Sequence, residues 1–260
     1  MGVSEKATKN HIKGFRKEIK EISKISDKLF FNWFDESGGN IDLNFKKGSF
    51  EFIFYFLNPT RKFLSNLNNK TILEIGYGGG RLLAEASKHF KVVIGVDIHD
   101  DFELVKSEFK KRNILNYKLL QNDGRYLPLT NFSVDIVYSY IVFQHVEKIE
   151  IFKTYIDETF RVLNKNGVAI LFFGRLKQES VNTSSKILYL KDMIFERFNT
   201  KGYKEINSRI NCVNLTVSLS YAKKYSKSIG FSILSCGVSK KLPKKAIYGG
   251  QHFLILKKKS

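Results

Sequence analysis

Between positions 71 and 81 the chain reads Thr-Ile-Leu-Glu-Ile-Gly-Tyr-Gly-Gly-Gly-Arg. A short apolar strand here delivers the backbone to a turn that only glycines permit, and the helix that follows presents its N-terminus. Gly76 and Gly78 let a ligand approach the main chain, with Glu74 two residues before the first of them. Asp97 closes the run Val-Val-Ile-Gly-Val that begins at Val92, nineteen residues after Gly78. An acidic side chain at the tip of a second strand accepts both ribose hydroxyls of a nucleoside. Asp123, in Gln-Asn-Asp-Gly-Arg-Tyr-Leu-Pro at 121–128, stands where a carboxylate accepts from an adenine amine. Each acid also has a plainer reading: Glu74 as a cap for turn amides, Asp97 as a solvated strand end, Asp123 as a turn former. Arg81 occupies the place where a dinucleotide fingerprint needs its third glycine.

His145, just past a fourth strand, is the candidate general base, because its imidazole can take a proton near neutral pH. Its plainer role is local packing. His11, His89, His99 and His252 have weaker claims. Cys212 and Cys236 lack metal-ligand spacing, and no metal site is expected.

Strands alternating with helices must position these residues. The pattern predicts strands over 71–75, 92–96, 117–120, 135–141 and 168–173, with helices over 82–90, 101–112 and 150–163. That order implies a parallel sheet with right-handed crossovers. Upstream, Ile12, Phe15, Ile19, Ile22 and Ile25 recur at helical spacing over 11–28. The aromatic cluster Phe30, Phe31, Trp33 and Phe34 follows, either lining an acceptor pocket or completing a core. A loop over 35–44 and an apolar run over 50–57 come next, and Pro59 suits the first turn of a helix over 60–67. Downstream, residues 174–214 hold one helix over 185–198, whose Ile187–Leu190 run, Ile194, Phe195 and Phe198 are expected to pack inward, with acceptor contact as the alternative. A helix over 218–228 closes at Gly230, and strands over 231–236 and 252–256 form an antiparallel edge hairpin around a basic loop with Pro243 and Gly249-Gly250.

Taken in order, these segments resemble the class I S-adenosylmethionine-dependent methyltransferase family, in its small-molecule branch. The resemblance is close over 71–173 and looser over 218–256. It implies an α/β Rossmann-like fold: a mostly parallel seven-stranded sheet with an antiparallel last strand, an N-terminal helical segment and an insertion after the fifth strand. It also implies S-adenosylmethionine as cofactor. By the resemblance, Glu74, Gly76 and Gly78 border its methionine part, Asp97 holds the ribose, Ile98 packs on adenine, and Asp123, with Gly124 beside it, reads the adenine amine. Tyr77 is bulkier than the usual small residue and either narrows the pocket or points away. The expected organisation is a single methyltransferase domain over 1–260: an N-terminal helical extension (1–70), a cofactor-binding core (71–173), an insertion or cap (174–214), and a final helix with edge hairpin (215–260).

The chain carries 44 Lys and Arg against 25 Asp and Glu, a net charge of +19. Such a charge attracts nucleic acid or acidic groups, although lysine-rich composition spread along the whole chain produces it equally well. No apolar run reaches transmembrane length, the first ten residues lack a signal-peptide core, and Lys6 breaks a myristoylation match at Gly2. A cytoplasmic enzyme is therefore expected. It would methylate an oxygen or nitrogen of a small-molecule or sugar-like acceptor, acidic in one version, held between the segment around Trp33 and the insertion. The alternative is an RNA methyltransferase acting on ribose or a ring nitrogen. After the fourth strand the chain reads Ser-Tyr-Ile-Val at 139–142, not the Asn/Asp-Pro-Pro-aromatic motif of enzymes that methylate exocyclic base amines. A non-catalytic binding module fits poorly with intact Glu74, Gly76, Gly78, Asp97 and Asp123. The sequence leaves the oligomeric state open.

Overall fold

A computed structural model describes residues 11–35, 38–181, 183–240 and 250–259. The N-terminal decapeptide, Pro243 and Gly249 lie outside the described residues. The chain divides into two compact units, one over 10–138 with 162–164 and the other over 139–161 with 165–260.

In the first unit, the 11–28 pattern becomes two helices, α1 (His11–Ile25) and α2 (Asp27–Asp35), broken at Ser26. Asp27 opens α2 and complements its dipole. Phe30 and Phe31 are fully buried, so these two aromatics complete a core. Asn40 caps α3 (Ile41–Glu51) by accepting the Leu43 amide at 2.9 Å. The helical path then widens into π-helical turns over Phe52–Leu57 and ends in α4 (Asn58–Thr60). Pro59 thus sits in the last turn of a long helical run instead of starting a helix over 60–67. The run Phe-Ile-Phe-Tyr-Phe-Leu has no polar face to set a register, and the wider turns bury Phe52, Tyr55 and Phe56. Strands β1 (Thr71–Ile75), β2 (Val92–Asp97) and β3 (Tyr117–Gln121) pair in parallel. Helices α5 (Arg81–Ala86) and α6 (Phe102–Lys111) make the crossovers, and β4 (Val134–Ser139) follows.

The second unit holds α7 (Ile149–Val162), β5 (Leu163–Phe173) and α8 (Lys186–Phe198). A two-stranded ladder of β6 (Tyr203–Glu205) and β7 (Leu215–Val217) closes the insertion. Ser218 caps α9 (Leu219–Ile229), and Gly230 ends it at φ 117°. Strands β8 (Phe231–Val238) and β9 (His252–Lys258) are antiparallel, and β9 also runs antiparallel to β5. The main sheet has seven strands in the order β3-β2-β1-β4-β5-β9-β8. One expectation fails in α8. Its apolar residues Ile187, Leu190, Ile194, Phe195 and Phe198 face outward, while Asp192 and Glu196 are buried. The reason is that Arg175 and His252 are themselves fully buried and need acidic partners.

Candidate active site

The glycine turn is built as a hydrogen-bonded corner of the first unit. The Gly76 amide donates to the Val96 carbonyl at 2.7 Å, tying the end of β1 to β2. Gly78 sits at φ 52°, in the left-handed region, and its amide donates to Asp97 Oδ2 at 2.8 Å. The Ile98 amide donates to the other carboxylate oxygen at 2.7 Å. Asp97 therefore clamps the turn to the tip of β2, and the structure brings Glu74, Gly76, Gly78 and Asp97 into one corner. Glu74 is buried and accepts the Tyr138 hydroxyl at 2.7 Å. Burial pushes its carboxyl up to about 8, against the pull of the Tyr138 hydrogen bond and Arg81. At neutral pH this side chain is mostly a neutral acid.

The tips of β2 and β3 form the rest of the corner. The Asn122 amide donates to the Asp97 carbonyl at 2.8 Å. Asp123 is exposed, and its Oδ1 accepts the amides of Arg125 and Tyr126, so it shapes the turn around Gly124 (φ 84°). Ile98 is half-buried, and its carbonyl accepts the Gln121 side-chain amide at 3.0 Å.

Three more residues build this corner; the sequence singles out Phe34 and His99 in other roles and does not single out Arg16. Arg16 of α1 donates to the Ile98 carbonyl at 2.8 Å and to the Asn122 carbonyl at 2.5 Å, so α1 lies across both strand tips. Phe34 of α2 lies against the glycine turn, where a Cβ on Gly78 would come within 2.7 Å of its ring. His99 is buried with its ring edge on Phe30, its Nε2 donating to the Gly78 carbonyl at 3.0 Å and its Nδ1 accepting the Asp101 amide at 3.2 Å. The amphipathic pattern of 11–28 and the aromatic cluster after it are the sequence signals that something covers this edge. Tyr77 packs its ring over Gly95 and against His99, and its buried hydroxyl has no partner among the described residues.

His145 belongs to the second unit. Ile141, two residues past β4, holds φ 71°, a conformation that costs a β-branched residue about 1–3 kcal/mol. It turns the chain into the short 3-10 helix Val142–Gln144, which delivers His145. His145 Nδ1 bonds the Cys212 carbonyl at 2.8 Å. A carbonyl only accepts, so Nδ1 carries the proton and Nε2 keeps the lone pair. The Gln144 amide nitrogen lies 3.3 Å from Nε2, and Gln144 in turn accepts the Gln251 amide at 2.5 Å. Burial pushes the imidazole below its ordinary value, with only partial opposition from the Cys212 carbonyl. The ring is thus a neutral base at pH 7. His252, read as merely starting an edge strand, instead meets Glu196 at 2.7 Å in the interior.

Residues 73–171 match the family model of a methyltransferase domain. No curated protein matches the chain. Among solved structures it is similar to an S-adenosylmethionine-dependent methyltransferase from Clostridium acetobutylicum, with 15% identity, TM-score 0.58, and 83% and 92% of the two chains covered. It is also similar to an S-adenosylmethionine-dependent methyltransferase from Methanosarcina mazei, with 18% identity, TM-score 0.56, and 77% and 97% covered. A chain from a Haloferax volcanii complex between a methyltransferase and a methyltransferase activator has 12% identity, TM-score 0.57, and 88% and 98% covered. At such identities the likeness is one of fold.

Proposed function

The chain carries a methyltransferase domain over residues 73–171 on a class I methyltransferase fold, and from that premise we propose that it transfers a methyl group from S-adenosylmethionine to an oxygen or nitrogen of a small-molecule or sugar-like acceptor. The observation that carries this reading is the corner where Asp97 receives the amides of Gly78 and Ile98. Its residues fit the donor. A glycine at φ 52° shapes the turn, with the Phe34 ring against it, a carboxylate sits at the adjoining strand tip, and a buried carboxyl, Glu74, lies behind them. Asp97 would take the ribose hydroxyls, Ile98 would pack on adenine, and Asp123 and Gly124 would border its amine. Glu74, Gly76 and Gly78 would line the methionine end. Bound there, S-adenosylmethionine supplies an electrophilic methyl on a sulfonium. The chain's own work is to align the acceptor in line with that methyl and keep water out.

Asp97→Ala is the direct test. Two charge-assisted hydrogen bonds to ribose, about 1.5–3 kcal/mol each at most, would be lost. Calorimetry with S-adenosylhomocysteine should then show at least about a tenfold weaker affinity. Asp97→Asn, which can still accept the Gly78 amide, separates that loss from loosening of the turn. Unchanged affinity in both variants refutes the ribose assignment.

We assign His145 as the general base for an acceptor that must lose a proton. The lone pair on Nε2 and the downward shift of the imidazole support this role. The Gln144 amide would have to give way to the acceptor. With an acceptor returned by a labelled-donor screen, His145→Ala should lower turnover by roughly 100-fold while leaving donor affinity intact. Equal turnover would make His145 a packing residue.

The charge of +19 favours a second reading, methylation of RNA at ribose or a ring nitrogen. Specific RNA binding with a steep salt dependence would support it over the small-molecule reading.

A further inference from the structure

Helix α8 is built inside out. It has two acids, and both are buried. Asp192 accepts from Arg175 at 2.9 Å, from the Ser180 amide at 2.8 Å and from the Ser180 hydroxyl at 2.6 Å. Glu196 accepts the Leu176 amide at 2.9 Å and meets the buried His252 ring. The apolar side chains point the other way: Ile187, Leu190, Ile194, Phe195 and Phe198 are 72%, 49%, 57%, 46% and 76% exposed. At 100° per residue they share an arc of about 140° on a helix about 20 Å long. Lys191 falls inside this arc, and Lys186 and Arg197 border it. Every exposed charge on the helix is therefore basic.

We infer that the outward face of α8 docks the protein on an anionic lipid surface, with the helix lying in the plane of the headgroups. Two observations together select this occupant: an apolar face that the described residues leave exposed, and a border whose charge is of one sign. In a bilayer, isoleucine and phenylalanine reach below the headgroups while lysine and arginine extend to the phosphates. Anionic headgroups complement the basic border, and the overall charge of +19 adds long-range attraction. A second copy on the same face would bring two sets of basic residues, Lys186, Lys191 and Arg197, into one interface, which like charge opposes. The helix has 13 residues, and among the described residues no helix is long and apolar enough to cross a membrane. Lying on the surface is the mode this helix can adopt. This inference is independent of the donor site.

The test is flotation of the full chain with vesicles of phosphatidylcholine alone and of phosphatidylcholine with about one-third phosphatidylglycerol. Binding is expected on the anionic vesicles and should weaken as salt rises. The triple variant Ile187→Ser/Ile194→Ser/Phe198→Ser should bind them at least about tenfold less, with an unchanged melting temperature because all three positions face solvent. Lys191→Glu/Arg197→Glu should also weaken binding. Lys110→Glu/Lys118→Glu makes the same charge change elsewhere on the exposed surface and should retain binding. Three results would overturn the inference: no binding of the wild type, equal binding of the triple variant, or equal weakening by the 110/118 control. Sedimentation velocity adds a fourth. Self-association of the wild type that the triple variant abolishes would give the face to a second copy.

Discussion

Gly78→Val is expected to abolish donor binding, with no heat of S-adenosylhomocysteine binding at concentrations that saturate the wild type. Gly78 is held at φ 52° while its amide is fixed on Asp97. A β-carbon there faces two penalties. The left-handed backbone costs a non-glycine residue about 1–3 kcal/mol, and the new carbon would fall 2.7 Å from the Phe34 ring. Relief of either would move the turn off Asp97 and deform the main-chain surface proposed for the donor. The melting temperature should also drop, by about 2–4 °C per kcal/mol for a chain of this size, but unfolding should remain cooperative. Gly78→Ala with and without Phe34→Ala then apportions the effect. If affinity stays lost in the double variant, the backbone of the turn is responsible; if it returns, the ring was the obstacle. Gly78→Val with full donor affinity would remove the donor from this corner.

The second large effect concerns Glu74 and pH. Its carboxyl is buried, has the Tyr138 hydroxyl as hydrogen-bond donor, and is pushed up to about 8. An unfolded glutamate titrates near 4.5. Between those two values the folded state keeps a proton that the unfolded state has released, so stability falls as pH rises through this window and levels off above it. The full span amounts to about 5 kcal/mol at order-of-magnitude precision. Glu74→Gln keeps the shape and still accepts the Tyr138 hydroxyl, yet cannot ionise. It should match the wild type near pH 5 and exceed it by several kcal/mol near pH 8 in chemical denaturation, with a flatter profile between. Parallel profiles would show that Glu74 is already ionised in the fold. The same proton offers a check on the donor. S-adenosylmethionine carries a net positive charge and its demethylated product does not. A methionine end placed beside Glu74 would draw the proton off, so affinity for the donor should rise with pH more steeply than affinity for the product.

The glycine turn, Asp97 and most strands and helices were legible in the sequence because their causes are local. Left-handed turns at Gly76 and Gly78 demand glycine, apolar strands repeat within a few residues of one another, and Ser218 with Gly230 bounds α9 at both ends. The three-residue strands β6 and β7 are too short for alternation to be read, and the aromatic run over 52–57 has no polar face from which to infer a register. The orientation of α8 lay beyond the sequence for a different reason. Spacing shows that Ile187, Leu190, Ile194 and Phe198 share a face, but not which way the face points. That was decided by Arg175 and His252, buried residues that hold Asp192 and Glu196 inward. Likewise His145 could be named from its position after β4, while its protonated nitrogen is set by the carbonyl of Cys212, far along the chain. Arg16 and Phe34 reach this corner only because α1 packs back over the tips of β2 and β3 and α2 over the glycine turn. Residue types and short-range spacing dictate which groups the chain can offer. Burial, whose cost for an unpaired charge exceeds the gain from hiding a few apolar side chains, decides which of them meet and which are left facing solvent.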